Sequence, residues 1–313
     1  NKGGAAMGKS QVMTVSGFVD AEQLGTVYAH EHLIVQPQIS EDQYILYTLK
    51  DEKASFKEAE SFANAGGKTI VEMTPIYYGR DVLAYQRIAK EAGIYVVCCT
   101  GFHKELFMPP WFKEKKLSEL YDLVVDEINN GMDGTLIQPG VIKMGTSFET
   151  ITKQEEKSIE IVAKIHRDTG IPISTHCDKG TMGIEQLDML EHYGVFPEEV
   201  LLGHIDSKHD IDYAKELCKR GATICIDHVG RCLSDKDAFC VRMITDLVED
   251  GFADHVVLSG DMGKMDYLLA YGGTPGLKYI LTDLKNTLLK HISEEDFWKM
   301  LIKNPQRFLS GSD

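Results

Sequence analysis

Thr26-Val-Tyr-Ala-His-Glu-His-Leu33 is the stretch on which the reading of the whole chain turns. Thr26 to Ala29 carry the β-branched and aromatic side chains that favour a short strand. Two histidines follow one residue apart, His30 and His32. Side chains i and i+2 of a strand share a face, so both imidazoles can aim at one point where the strand runs out. Imidazole is the usual nitrogen ligand of zinc-like metals. Taken alone, the pair equally fits an accidental His-x-His on a surface strand. The decision rests on whether later strands also end in ligands.

Outward from this stretch, strand-like and helix-like segments alternate about every thirty residues, the rhythm of repeated βα units. Residues 26–29, 68–74, 94–100, 139–145, 172–177, 200–204, 223–228 and 256–261 read as strands. Helical patterns lie between them at 52–65, 81–92, 117–129, 152–168, 184–192, 211–220 and 237–249, with more helix towards Phe308. Thr152 with Glu155 three residues on forms a capping box that starts one of them. Eight strands each followed by helix is the count of an α/β fold of the (β/α)8 TIM-barrel type.

Composition sets the limits. The chain has 313 residues, 43% hydrophobic and 26% charged, which is globular composition. A barrel of this kind needs roughly 250 residues, so 11–313 read as a single (β/α)8 domain. Residues 1–10 read as a disordered N-terminal remnant. They do contain Gly3, Gly8, Lys9 and Ser10 at P-loop spacing. A P-loop follows a buried strand and opens a helix, whereas this one is followed by a strand-like run at 11–15. No apolar run reaches the length of a membrane span, and no secretory signal pattern is present. The formal net charge of −15 argues against nucleic acid as a partner. Seven cysteines, an odd number without a Cys-x-x-Cys pair, read as reduced thiols in a cytoplasmic protein.

In such a barrel, chemistry sits where strands run out into βα loops. Those positions hold His30, His32, Lys143, His176, His204 and Asp261. Each histidine by itself also reads as a hydrogen-bonded core residue. The full set, in one layer with an aspartate, points to a metal site. Lys143 lies in an apolar strand, where an ammonium is costly unless it is paired or reaches the barrel mouth. Burial also favours the neutral amine. A neutral amine can add carbon dioxide to become a carbamate with two oxygens, able to bridge two metals about 3.5–4 Å apart.

With these residues in hand the chain resembles the phosphotriesterase family of the amidohydrolase superfamily, in its phosphotriesterase-like lactonase branch. The resemblance runs over residues 12–309. It is carried by Ala29-His-Glu-His-Leu33, Gly79-Arg-Asp81, Gly140-Val-Ile-Lys-Met-Gly-Thr146, Thr175-His176, Gly203-His204, Ile226-Asp-His228, Leu258-Ser-Gly-Asp261 and Asn304-Pro-Gln-Arg-Phe308. It implies two divalent metal ions, zinc first, with manganese, cobalt or iron as alternatives. His30, His32 and Asp261 would hold the more buried metal, and His176 and His204 the more exposed one. A carboxylated Lys143 and a hydroxide would bridge both. The resemblance further implies that Asp261 and His228 carry the catalytic proton, and that the protein is a homodimer.

The metal ligands do not discriminate lactones from phosphotriesters or other esters. Substrate choice lies in the loops. Phe102, His103 and Lys104 open an aromatic-rich third loop that either walls a pocket or covers the barrel. Arg231 lies in the seventh loop, and Lys264, Tyr267 and Tyr271 in the eighth. Cations beside aromatic hydroxyls suit phosphate or carboxylate, although solvated loop cations would look the same. The expectation is a small polar lactone, a phosphorylated sugar lactone above all, with organophosphate or other ester hydrolysis as the alternative. A metal-dependent nuclease of the TatD type would carry Glu where Lys143 stands and would need a cationic surface. A non-catalytic metal-binding protein would have no use for His228.

Overall fold

The computed structural model describes residues 10–231 and 235–311. The terminal segment, with the P-loop-like spacing apart from Ser10, lies outside the described residues, as does Cys232. The described chain opens with an antiparallel hairpin, β1 (Gln11–Thr14) and β2 (Gly17–Asp20). Among the described residues eight parallel strands follow: β3 (Val27–Glu31), β4 (Thr69–Glu72), β5 (Tyr95–Gly101), β6 (Val141–Thr146), β7 (Ile173–Cys177), β8 (Val200–Gly203), β9 (Thr223–Ile226) and β10 (Val256–Leu258). Each pairs in parallel with the next in sequence, from β3 to β10. The crossovers carry α1 (Glu52–Asn64), α2 (Val82–Ala92), α3 (Leu117–Asn130), α4 (Lys153–Thr169), α5 (Gly183–His192), α6 (Ile211–Lys219) and α7 (Asp235–Glu249). Three helices follow β10: α8 (Asp283–Leu288), α9 (Glu294–Leu301) and α10 (Lys303–Ser310). This is a nearly closed (β/α)8 barrel, as the strand count implies.

The period of two along the strands makes two cores. Val27 and Ala29, Val71 and Met73, Val97 and Cys99 point into the barrel and form one buried cluster with Val141, Leu201, Cys225 and Val257. Their neighbours Tyr28, Ile70, Val96, Cys98 and Ile142 face the helices in a second cluster. Val12 of β1 and Phe308 and Leu309 of α10 join the inner cluster, so the hairpin and the last helix close the lower end. The helices begin where short polar side chains can take free amides. Asp51, Asp81 and Asp210 accept from the third residue on in α1, α2 and α6. Thr152 and Glu155 cap α4 reciprocally, as the sequence implies. No helix among the described residues is long and apolar enough to cross a membrane.

Four strands stop earlier than the sequence suggests: β4 at Glu72, β8 at Gly203, β9 at Ile226 and β10 at Leu258. β9 ends at Ile226 because the amides of Asp227 and His228 turn to the Asp206 carboxylate, at 3.1 and 3.0 Å. β10 ends at Leu258 because among the described residues no ladder joins it to β3. Ser259 Oγ instead accepts from His30 N at 3.1 Å, and Asp261 N donates to His30 O at 3.1 Å.

One glycine shows how tightly the mouth is built. Gly101, at the end of β5, has φ +92°, and a β-carbon there would lie 2.2 Å from Lys143 O. Gly101→Ala is expected to cost about 3 kcal/mol from backbone strain and displacement of β6. Urea unfolding measures it, and a loss below about 1 kcal/mol would contradict the argument.

Candidate metal and substrate site

His30 and His32 share a face by alternation, but owe their inward heading to an irregularity. Val27 and Ala29 point inward, so strict alternation would turn His30 away from the barrel. The register with β4 shifts between Tyr28 and Glu31, a bulge in β3. The extra residue resets the alternation and brings both rings to the mouth. Val141 inward sets Lys143 inward two residues on. Gly145 of β6 lies opposite His176 of β7, so Lys143 and His176 come from adjacent strands. Alternation from Leu201 would send His204 outward as well. Its left-handed backbone, φ 64°, re-aims it. Asp261 is also left-handed, φ 43°.

The side chains converge. His32 Nε2 lies 3.2 Å and His30 Nε2 3.5 Å from Asp261 Oδ1. His204 Nδ1 is 3.7 Å and His228 Nε2 3.9 Å from Asp261 Oδ2. Among the described residues four groups of donor atoms could each hold a metal ion, His30–His32–Asp261, His204–His228–Asp261, His30–His204–Asp227 and Asp206–Asp227–His228, all atoms of each within 4.8 Å of one another. The His176 ring centroid stands 4.7 Å from that of His204. Lys143 is 1% exposed and donates to Met73 O at 2.8 Å. Burial pulls its pKa below the usual lysine value, favouring the amine.

Buried oxygens orient the rings. His32 Nδ1 meets Thr74 Oγ1 at 2.8 Å, and Thr74 N donates to the buried Glu72. Asp178 lies 3.0 Å from His176 Nε2, which leaves Nδ1 for a metal. Asp227 lies 2.8 Å from His204 Nδ1, which leaves Nε2. Such partners fix the tautomer and heading of a ligand ring. His30 Nδ1 is buried without a hydrogen-bond partner. This mixed nitrogen and carboxylate set, a half-orphaned buried histidine and a buried amine fit a pair of divalent ions.

Above the cluster lies a cavity of about 560 Å³. Five of the seven residues proposed for substrate line it: His103, Lys104, Arg231, Lys264 and Tyr267. Two do not, and this corrects the sequence reading. Phe102 is 1% exposed and packs on Phe112 and Trp111 in the core. The Tyr271 hydroxyl is turned to Ser55 Oγ and Asp51 O. Both fall in loops that also serve as the barrel's cover, and aromatic identity does not tell the two uses apart. The third loop, weighed in the sequence as wall or cover, lends Phe107 to the cavity, whereas Tyr44, Tyr47 and Tyr78 of its aromatic wall were missed.

The cations differ in freedom. Lys104 is paired with Asp178 at 2.8 Å. Arg231 Nη2 is held by Asp261 Oδ2 at 2.6 Å, with the guanidinium 5.0 Å over Tyr267. Lys264 stands between the Tyr47 and Tyr267 rings, at 5.3 and 5.7 Å, and its ion pair among the described residues is with an exposed carboxylate, Asp266, at 3.4 Å. Burial would raise the Asp261 carboxyl, but Arg231, His204 and His30 hold it well below the usual carboxylate range.

His228 leads away from Asp261. Its Nδ1 lies 3.2 Å from Asp227 Oδ1 and 3.6 Å from Asp206 Oδ1, and it also contacts Ser207 Oγ. Asp206 was missed in the sequence although a signal existed: His176 and His204 are each followed by an aspartate two residues on.

Comparison with known proteins follows this geometry. A family model described as the phosphotriesterase family matches residues 10–309. The phospho-furanose lactonase of Mycoplasmopsis synoviae strain 53 is 33% identical, with 95% of this chain and 91% of that protein covered. The aryldialkylphosphatase of Saccharolobus solfataricus is 28% identical, covering 93% and 97%. The crystal structure of the lactonase Lmo2620 from Listeria monocytogenes superposes with a TM-score of 0.91 at 32% identity, covering 97% of this chain and 100% of that one.

Asp206 generates a prediction. Burial would raise its pKa, but the His228 hydrogen bond and charge and the Asp227 and His228 amides outweigh that and lower it to about 2. A depressed carboxylate pKa stabilises the fold above the unfolded value and loses that contribution as pH falls through the folded value. Asp206→Asn should therefore cost about 2 kcal/mol at neutral pH. The gap from the parent should close between pH about 4 and about 2. Urea titrations of the chelator-treated proteins across pH test this. A gap independent of pH would remove the charge argument.

Proposed function

This chain belongs to the phosphotriesterase family, whose members are binuclear metal-dependent hydrolases, and we propose that it hydrolyses a small lactone carrying an anionic group, most simply a phosphorylated sugar lactone. The observation that carries the reading is the Lys264 ammonium poised between two tyrosine rings at the mouth of a cavity floored by the candidate ligands. A cation in an acidic protein, framed by aromatic rings and only loosely paired, suits a phosphate remote from the scissile ester. Arg231, stacked on the same Tyr267 and paired with Asp261, is the second cation proposed for that anion, and a metal held by Asp261 would compete with that pairing.

His30, His32 and Asp261 would hold one metal, His176 and His204 the other, and a carboxylated Lys143 both. When bound, such a pair supplies a water ionised near neutral pH and Lewis-acid polarisation of the ester carbonyl. The remaining steps belong to the chain. Asp261 accepts the proton of the nucleophile. His228 Nε2, 3.9 Å from Asp261 Oδ2, takes it on, and Asp206 stabilises the imidazolium so formed. His103 and Tyr78, packed at 4.9 Å, wall the ring of the substrate. The same aromatic wall would admit apolar esters, so phosphotriester hydrolysis is the second reading, expected as a weak side activity.

Two outcomes test this. Protein grown with zinc or manganese should carry close to two metal equivalents, and Lys143→Ala should lose metal and turnover together. Full occupancy with normal turnover in that variant would exclude the carbamate. Lys264→Met keeps bulk and removes the cation. Loss of a charge-assisted hydrogen bond is worth about 1.5–3 kcal/mol, so kcat/KM on a phosphorylated lactone should fall about ten- to hundredfold. An uncharged lactone of the same ring size should be turned over almost unchanged. Equal losses on both substrates would point instead to a neutral lactone or ester.

A further inference from the structure

Glu31, between the two histidines, has been given no role so far. It is 0% exposed, and no Lys, Arg or His among the described residues pairs with it. A buried carboxylate is costly unless donors surround it. Here all its donors come from one place, the segment that follows β10. Gly260 N donates to Glu31 Oε2 at 2.6 Å and Met262 N to Oε1 at 2.9 Å. Ser259 Oγ stands 2.5 Å from Oε2 and 2.7 Å from His30 O, with one hydroxyl proton to give. The two amides thus clamped are those on either side of Asp261.

That clamp sits where the sheet fails to pair. Every other neighbouring pair of strands shares a backbone ladder, but β3 and β10 do not among the described residues. Asp261 is moreover held in a left-handed conformation. For a residue other than glycine, such a conformation costs about 1–3 kcal/mol and persists only where the surroundings over-determine it. Ser259, Gly260, Asp261 and Met262 are each bonded to His30 or Glu31, which supplies that determination.

We infer that Glu31 is a positioning residue: by clamping the amides either side of Asp261 across the open seam, it sets that carboxylate against His30 and His32. The inference rests on the proposed ligand role of Asp261. It goes beyond it in assigning to Glu31 a contribution to metal affinity exerted without touching metal or substrate.

The test reads zinc binding rather than turnover. In Glu31→Gln the side-chain length is kept, but the amide nitrogen opposes one of the two backbone N–H groups. Zinc affinity of the chelator-stripped variant, measured by chelator competition at a temperature where circular dichroism shows it folded, should weaken about ten- to hundredfold for one of the two equivalents. A merely structural Glu31 would lower the melting temperature but leave zinc affinity of the folded protein unchanged, and that result overturns the inference. Asp261→Asn supplies the control. Alone it should weaken the same equivalent, and adding Glu31→Gln to it should cost less than about threefold more, because the two changes act on one carboxylate. A full additional loss in the double variant overturns action through Asp261. If Asp261→Asn alone binds zinc normally, the ligand reading fails and takes the inference with it, an outcome distinct from a silent Glu31→Gln beside an impaired Asp261→Asn. Should Glu31→Gln not fold, Ser259→Ala enters the same cycle, with a smaller weakening of the same equivalent expected and none overturning the inference.

Discussion

A parallel sheet rolled into a barrel has to meet itself, and the two edges that meet are the first and last strands. Unpaired edge amides and carbonyls buried at that seam would each cost free energy comparable to a lost hydrogen bond. In this protein the last strand is only three residues long, and its continuation is bonded to the first barrel strand through side chains and the backbone bond from Asp261 N to His30 O. The bulge in β3 and the left-handed Asp261 are the local distortions that this way of closing requires. Because His30, His32 and Asp261 sit on those same few residues, closing the barrel and bringing together three candidate ligands are one structural event.

Electrostatics around the mouth follow from the same economy of space. Four histidines and a lysine crowd into a volume where charge is poorly solvated, and burial pushes His30 and Lys143 towards their neutral forms. Neutral imidazole and neutral amine are the forms with a lone pair to offer. Carboxylates lie one layer behind, as Asp178 behind His176 and Asp227 behind His204, where they set ring orientation. In front, Lys264 and Arg231 place two cations of an acidic chain in the lining of the cavity. The net charge of a chain does not set the field at one place on it, and recognition depends on the local arrangement of charge.

Much of this was legible beforehand. The βα rhythm and the count of eight strands identified the barrel, and the strand ends named side chains that meet at its mouth, because both rest on local periodicity. The errors are of another kind. Phe102 and Tyr271 are aromatic residues in the right loops that nevertheless point away from the cavity. Tyr44 and Tyr47, in a first loop without strong pattern, form part of its wall. Asp206 leaves its own histidine and crosses to the next strand. None of these follows from spacing along one segment, since each depends on how a loop folds over its neighbours.

The sequence by itself determined the kind of fold and the kinds of side chain offered at the mouth. A period of two along strands, a period near 3.6 along helices and the chemistry of imidazole, amine and carboxylate are properties of short segments. Tertiary structure alone decided where those side chains aim. Alternation would have turned His30 and His204 away from the site. A one-residue shift of register in β3 and a left-handed residue after β8 bring them back. The shift in β3 lies at a seam between residues more than two hundred positions apart, as in the bond from His30 to Ser259, and no local pattern records a constraint between segments so distant.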